Sequence, residues 1–202
     1  MTAATAPASV DRSDWRLIVT GGAKLGLVTV AGVVAFSLLS RSLTGTTETI
    51  VQAILILVFG AVFAFLPAHW VRPRSVDGIA WAAMLGLMGS LFFAALDIAV
   101  LRRVGIYPWA WDLIGGGSPY WYLPVWLMGS ATLAWLGAWT VTTQRRGDGG
   151  VLVAAAQAEG LAIVLFGVFV MAIGPFHAAM MALAYVVALA LLVAVSAVFG
   201  RK

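Results

Sequence analysis

Six long apolar runs, separated by short polar connectors, constrain the fold of this chain more than any other feature of its sequence. They lie at about Leu17–Leu39, Ile50–Leu66, Ile79–Leu101, Trp121–Thr143, Val151–Ile173 and His177–Phe199. Each run is close to the ~20 residues that a helix needs to cross a hydrocarbon layer about 30 Å thick. Because backbone polar groups in lipid must be hydrogen-bonded within their own segment, the runs are predicted to be helices. The sequence therefore predicts an all-α, polytopic membrane bundle with six transmembrane helices.

The composition makes the lipid bilayer the main expected partner. Of the 202 residues, 62% are hydrophobic and 10% are charged, whereas a soluble domain has roughly 25% charged residues. The mean hydropathy is +1.02, so lipid must cover much of the surface. The chain contains no cysteine, which excludes disulfides, cysteine-ligated zinc and iron–sulfur clusters.

The basic residues predict the orientation of the chain. The formal net charge is +4, but the 12 Lys and Arg residues occur in ones and twos, so nucleic acid is not an expected partner. Alternate connectors carry Arg12, Arg16, Arg72, Arg74, Arg145, Arg146, Arg201 and Lys202 on one side, and Arg41, Arg102 and Arg103 on the other. Basic residues are enriched on the cytoplasmic side. Both termini are therefore predicted to be cytoplasmic, in a bacterial inner membrane, with residues 1–16 as a flexible tail before a single domain at 17–199.

An aromatic segment marks the predicted extracytoplasmic side. The loop at 102–120 and the start of the next span contain Trp109, Trp111, Asp112, Tyr120, Trp121 and Tyr122. Tryptophan and tyrosine favour the membrane–water interface, so one interpretation is an aromatic belt. The other is a structured cap in which these six residues bind a lipophilic ligand, since the glycines at 115–117 let the backbone turn closely.

Ionisable residues within the runs are costly in lipid and are functional candidates. Lys24 and Glu159 both lie about 12–14 Å in from the cytoplasmic side at 1.5 Å per residue. We therefore expect an intramembrane charge pair between them that fixes the helix register, in preference to a proton relay. The alternative for Lys24 is that its side chain extends back to the cytoplasm. Asp97 lies near the outer end of the third run and is expected to form a salt bridge with a nearby arginine.

Metal and cofactor sites receive little support from the sequence. His177 with Met180 and Met181 presents soft ligands that suit Cu(I), but no further His or Cys completes the set. His69 is predicted at the cytoplasmic end of the second span and His177 at the extracytoplasmic start of the sixth. Because the bilayer separates them, they cannot share one metal or haem. We predict no cofactor; the alternatives are a pigment or haem on a single histidine, or copper on His177, Met180 and Met181.

One serine and one histidine are arranged as in a known family. The segment 129–131, with Ser130 on the fourth span, and His177 at the sixth are similar to the Ser and His of the six-span rhomboid intramembrane proteases. The sequence departs from that family at Met128, where a glycine stands in the family. Its first outer connector, Ser40–Thr49, is also much shorter than the family's. The similarity is therefore not taken as membership.

These features predict a non-enzymatic membrane protein. We expect a small permease or channel-like carrier, or a subunit of a larger membrane complex or homo-oligomer, that binds a lipophilic or small neutral ligand. The alternative is a membrane-embedded enzyme acting on a lipid or isoprenoid at the extracytoplasmic leaflet. In that case Asp97, Asp112 and His177 would be its acid and base groups. The small-residue spacings Gly22/Gly26 and Ala82/Gly86 predict close helix packing, within the bundle or between protomers.

Overall fold

The computed structural model describes residues 14–106, 127–144, 150–174 and 178–199. These residues form six long helices and no strand. The helices are α1 (Trp15–Ser42), α2 (Gly45–Val71), α3 (Val76–Leu96), α4 (Gly129–Gln144), α5 (Val151–Ile173) and α6 (Ala178–Phe199). The all-α prediction is confirmed.

Five of these helices are long and apolar enough to cross a membrane. They are α1, α2, the helix Val76–Val104 that begins with α3, α5, and α6 from Ala179 onward. The described part of α4 has 16 residues, fewer than the ~20 that a span needs, and the predicted start of that span at Trp121 lies outside the described residues. Five helices of spanning length and hydropathy are confirmed among the described residues, while the sixth span and the side of the termini remain predictions.

The helix bounds agree with the apolar runs except at the second span. The sequence predicts an end at Leu66 or an extension to Trp70, and the extension agrees with α2, which continues through Pro67 and ends at Val71. Proline is tolerated in membrane helices where neighbouring segments compensate for the lost hydrogen bond, and Pro67 is fully buried against such neighbours. The helix stops at Arg72, which has a left-handed backbone and donates its N–H to the Ala68 carbonyl.

The helical geometry changes at the C-terminal end of α3. A π-helical turn, Asp97–Leu101, follows α3, and a last short turn, Arg102–Val104, ends at Gly105 with φ 68°. Serine and arginine side chains of α1 hold this end in place, since Ser37 Oγ donates to the Ile106 carbonyl at 2.6 Å and Arg41 donates to the same oxygen. The third span is therefore anchored to the first at this end.

Glycines set the closeness of packing among α1, α2, α3 and α4, which we call the four-helix core. A Cβ on Gly26 would lie 3.0 Å from the Gly89 carbonyl oxygen of α3, and one on Gly86 would lie 2.8 Å from the Ser130 carbonyl oxygen of α4. A Cβ on Gly137 would collide with the Ala64 carbonyl of α2. The predicted close packing at Gly22/Gly26 and Ala82/Gly86 occurs within the bundle.

The last two helices, α5 and α6, form a hairpin that packs on itself and against α2 and α4. On α5 the fully buried positions are the alanines Ala154, Ala158 and Ala162, spaced four residues apart. The rest of α5 is largely exposed, with large apolar side chains such as Ile163 and Val164 on the surface. This surface is what a lipid-facing helix presents.

Candidate functional site

An acidic side chain lies well inside the hairpin. Glu159 is nine residues past Gly150, so it lies about 13 Å from the start of α5 at 1.5 Å per residue. Its side chain is partly exposed, but its Oε1 atom is fully buried and has no hydrogen-bond partner. It is the one charged residue in the described parts of α4, α5 and α6. The hairpin thus holds a single acid with no compensating base on these helices.

The neighbour of this acid is a tyrosine on α6. Tyr185 is 2% exposed, and its phenol interacts with the Glu159 carboxyl. The two groups do not meet hydrogen-bond geometry, because the phenol oxygen and Oε1 are both buried without a partner. The Glu159 carboxyl and the Tyr185 hydroxyl are therefore neighbours among apolar side chains. Each still has a buried atom that can form a hydrogen bond.

A glycine of α2 positions the tyrosine ring. A Cβ on Gly60 would lie 3.0 Å from both Cδ1 and Cε1 of Tyr185, so the ring packs directly on the backbone of α2. The ring contacts α2, and its phenol group interacts with Glu159 of α5. This contact fixes the direction in which the phenol points.

Further unsatisfied polar atoms lie on α4. Trp139 Nε1 and Gln144 Oε1 are buried without a partner, although the Gln144 amide N–H donates to Gln157 on α5. Together with Glu159 and Tyr185, they are the buried side-chain polar atoms without a partner in the described residues, and all four lie on α4, α5 and α6. A buried polar atom left unbonded costs about 1–3 kcal/mol. Such a concentration is typical of a site that binds something else.

Lys24 and Glu159 are not brought together. Lys24 is exposed on the outer face of α1, which packs against α2 and α3, and it forms no ion pair with Glu159 on α5. The expected ion pair between Lys24 and Glu159 is therefore not formed in the structure. The sequence placed both residues at a similar depth, but depth does not determine which way each helix face points.

Asp97 forms the salt bridge expected of it. Its carboxylate is 0% exposed and accepts a hydrogen bond from Arg102 Nε at 2.8 Å. The two residues are five apart, and the π-helical turn between them brings positions i and i+5 one above the other. This carboxylate is engaged in holding the outer end of the third span. Its partners in the alternative acid–base site, Asp112 and His177, lie outside the described residues.

Ser130 serves the packing of α3 against α4. Its hydroxyl is buried, lies 2.6 Å from Ser90 Oγ and donates to the Gly86 carbonyl at 3.2 Å. No histidine or carboxylate contacts it among the residues that the structure describes. The arrangement is that of a hydrogen bond between packed helices.

Several predicted site residues remain untested. The aromatic ligand-binding residues lie in the segment outside the described ranges: Trp109, Trp111, Asp112, Tyr120, Trp121 and Tyr122. Of the copper candidates, Met181 is buried and Met180 partly buried on α6, while His177 lies outside those ranges. No group of three His, Asp or Glu suited to a metal occurs in the described part of the chain.

Tyr185 is the site residue that sequence reasoning missed. It is the one aromatic residue of α6 before Phe199, and Ser196 is the one other polar side chain of that helix. A tyrosine far from both ends of an apolar span is unusual, because its hydroxyl favours the interface. The position of Tyr185 within an apolar helix is the sequence feature that could have identified it as a site residue.

The helices define the class of this protein. Five apolar helices of spanning length indicate a multi-pass integral membrane protein. Comparison of the chain with protein-family models, with curated proteins and with solved structures finds no match. The candidate site at Glu159 and Tyr185 is therefore the main indication of function.

Proposed function

We propose that this protein is a small, non-enzymatic membrane carrier that binds a lipophilic ligand between α5 and α6, with Glu159 and Tyr185 as its polar contacts. The observation that carries the proposal is the pair of buried, adjacent and unbonded atoms, Glu159 Oε1 and the Tyr185 hydroxyl. Glu159 lies on α5, which has the smallest buried share of the five helices of spanning length. A ligand whose polar or cationic group contacts these atoms would offset the cost of leaving them unbonded.

The unpaired acid supports a carrier over a purely structural role. A structural acid in a membrane bundle is expected to have a basic or hydrogen-bonding partner on a neighbouring helix. Lys24 is directed elsewhere, and Glu159 keeps one buried oxygen free. Ionisable groups inside spans that lack such partners mark ligand or ion pathways.

The enzyme alternative is less well supported. Its acid–base site depends on Asp97, whose carboxylate is buried and neutralised by Arg102. A general acid or base must reach the substrate within hydrogen-bond distance. An aspartate enclosed in an ion pair is poorly suited to that role.

We also propose that the chain lies in a bacterial cytoplasmic membrane with both termini inside. Exposed Arg72 and Arg74 lie between α2 and α3, at the end where Pro73 accepts a hydrogen bond from Thr142 near the end of α4. Arg16 opens α1 at this same end, since Gly21 packs beside Trp70. This concentration of arginine supports a cytoplasmic assignment of that side.

The proposal is tested by the small molecules that accompany the purified protein. Full-length wild type, Glu159→Gln, Tyr185→Phe and the control Ser196→Ala are expressed, purified in detergent, extracted and compared by mass spectrometry. Ser196→Ala is a matched control, because it also removes one hydroxyl from α6, one that is bonded only within its own helix. We expect a compound that accompanies wild type and the control and is depleted in the two site variants. The same set of compounds in all four samples would contradict the proposal.

A further inference from the structure

The charge balance around the candidate site restricts what it binds. The described parts of α4, α5 and α6 contain no lysine or arginine, and nothing on these helices compensates an ionised Glu159. Placing an unpaired ion in an apolar interior costs several kcal/mol. Without a ligand, the stable form of this carboxyl is therefore the neutral one, which keeps its proton.

The titratable groups on the packed helices do not change this balance. The helices α2, α4 and α6 pack against α5. The titratable groups of these helices are Tyr185 on α6, and Glu48 and His69 at opposite ends of α2. The described part of α4 contains no titratable group. Of these, Tyr185 is the one that interacts with Glu159. A phenol supplies a hydrogen bond but no positive charge.

The surroundings suit an organic cation. The ring of Tyr185 is an aromatic surface beside the carboxyl, and cations are attracted to the face of such a ring. The fully buried residues near these positions in the sequence are small, Ala158 and Ala162 on α5 and Ala184 and Ala188 on α6. A carboxylate, an aromatic ring and apolar walls together match a lipophilic ammonium or phosphonium ion better than a metal ion, which needs several oxygen or nitrogen ligands.

We propose that the ligand of this site is a lipophilic organic cation and that it binds in exchange for the proton of Glu159. On binding, the O–H bond of the carboxyl breaks, the proton passes to water, and the carboxylate becomes the counter-ion of the cation. One positive charge enters as one leaves, so the hairpin never holds an unpaired ion. The inference rests on the proposed carrier function and adds the chemical class of its ligand.

Proton release tests the inference directly. Tetraphenylphosphonium is added to the purified full-length protein in weakly buffered detergent solution containing a pH indicator, and its binding is measured in parallel by equilibrium dialysis. We expect about one proton released per cation bound by wild type. Glu159→Gln should lose both signals, while the control Glu48→Gln, the same change outside the site, should keep both. Tyr185→Phe should keep proton release and bind about 2- to 10-fold more weakly, the effect of one lost hydrogen bond.

A measurement on the unaltered protein guards against misfolding of the variants. Dicyclohexylcarbodiimide enters apolar sites and modifies protonated carboxyl groups, which peptide mass spectrometry detects. We expect modification at Glu159 that decreases as tetraphenylphosphonium is added. Modification that the cation leaves unchanged would overturn the inference.

The two proposals fail in distinguishable ways. Cation binding without proton release, or binding that Glu159→Gln retains, would overturn the exchange while a depleted compound in the site variants would still support the carrier. If no compound depends on Glu159 or Tyr185, the carrier proposal fails as well.

Discussion

The four-helix core and the α5–α6 hairpin use the same residue types in opposite ways. In the core, glycines such as Gly26, Gly86 and Gly137 are places where another helix touches the backbone. In the hairpin, Gly160 and Gly167 have open space where a side chain would be. The core is built by close backbone contact at glycines, whereas the buried positions of α5 are alanines.

The buried acids divide in the same way, although Trp139 and Gln144 of α4 also keep buried atoms unbonded. Asp97 in the core is buried with a basic partner, and Ser90 and Ser130 bond each other. In the hairpin, Glu159 and Tyr185 are left with buried atoms unbonded. The buried acid of the core is therefore paired, whereas the hairpin keeps polar atoms that can still bind another group. Functional sites commonly give up stability in this way.

The largest expected effect separates the two kinds of glycine. Gly137→Leu places a side chain against the Ala64 carbonyl, which cannot move without shifting α2, so we expect a loss of about 3 kcal/mol, at the upper end for overpacking. The matched change Gly167→Leu should alter stability by less than ~0.5 kcal/mol, as at other exposed positions. Thermal unfolding in detergent measures both. Equal losses would remove the distinction between core and hairpin.

A smaller effect is expected for the buried ion pair of the core. Asp97→Asn keeps the shape of the side chain but leaves the Arg102 guanidinium, 17% exposed, without its counter-charge. We expect a loss of about 2 kcal/mol, the range for a hydrogen bond to a charged group. Chemical unfolding monitored by tryptophan fluorescence measures it. An unchanged midpoint would show that the pair is not important for holding the third span.

The smallest effect is expected for the same chemical change in the hairpin. In the proposed exchange Glu159 is neutral without ligand, and no base among the described residues pairs with it, so Glu159→Gln should change stability by less than ~0.5 kcal/mol. A buried charge pair would instead make this substitution cost about 3–5 kcal/mol. The same unfolding assay, run beside Asp97→Asn, decides between these values. A loss of several kcal/mol would show that Glu159 has an ionic partner after all.

The positions of the spans were predictable from the sequence, because length and hydropathy determine them. The apolar run Val151–Ile173 coincides with α5. The continuation of α2 past Pro67 was one of two ends that the sequence allowed, because the choice depends on how neighbouring helices surround the proline. The salt bridge of Asp97 was predictable in kind, since its partner Arg102 lies within the same helical segment.

The site itself was only half predictable. Glu159 stands out as an acid within a span, but its partner depends on which helix face it occupies and which helix lies there. Sequence gives the depth of Lys24 and Glu159 and does not give the rotation of α1 relative to α5. The proximity of Tyr185 to Glu159 is likewise a product of packing between α5 and α6, and no local pattern specifies it.

The contact between Gly60 and Tyr185 has a mechanical consequence. Because the ring rests on the backbone of α2, turning α6 about its own axis would either drive the ring into that backbone or lift it off. Tilting of the hairpin about this point leaves the contact intact. For a carrier, which must open its site to each side of the membrane in turn, Gly60 and Tyr185 would then act as a pivot placed directly beside the ligand. Opening would be a rocking motion of α5 and α6 against a stationary core.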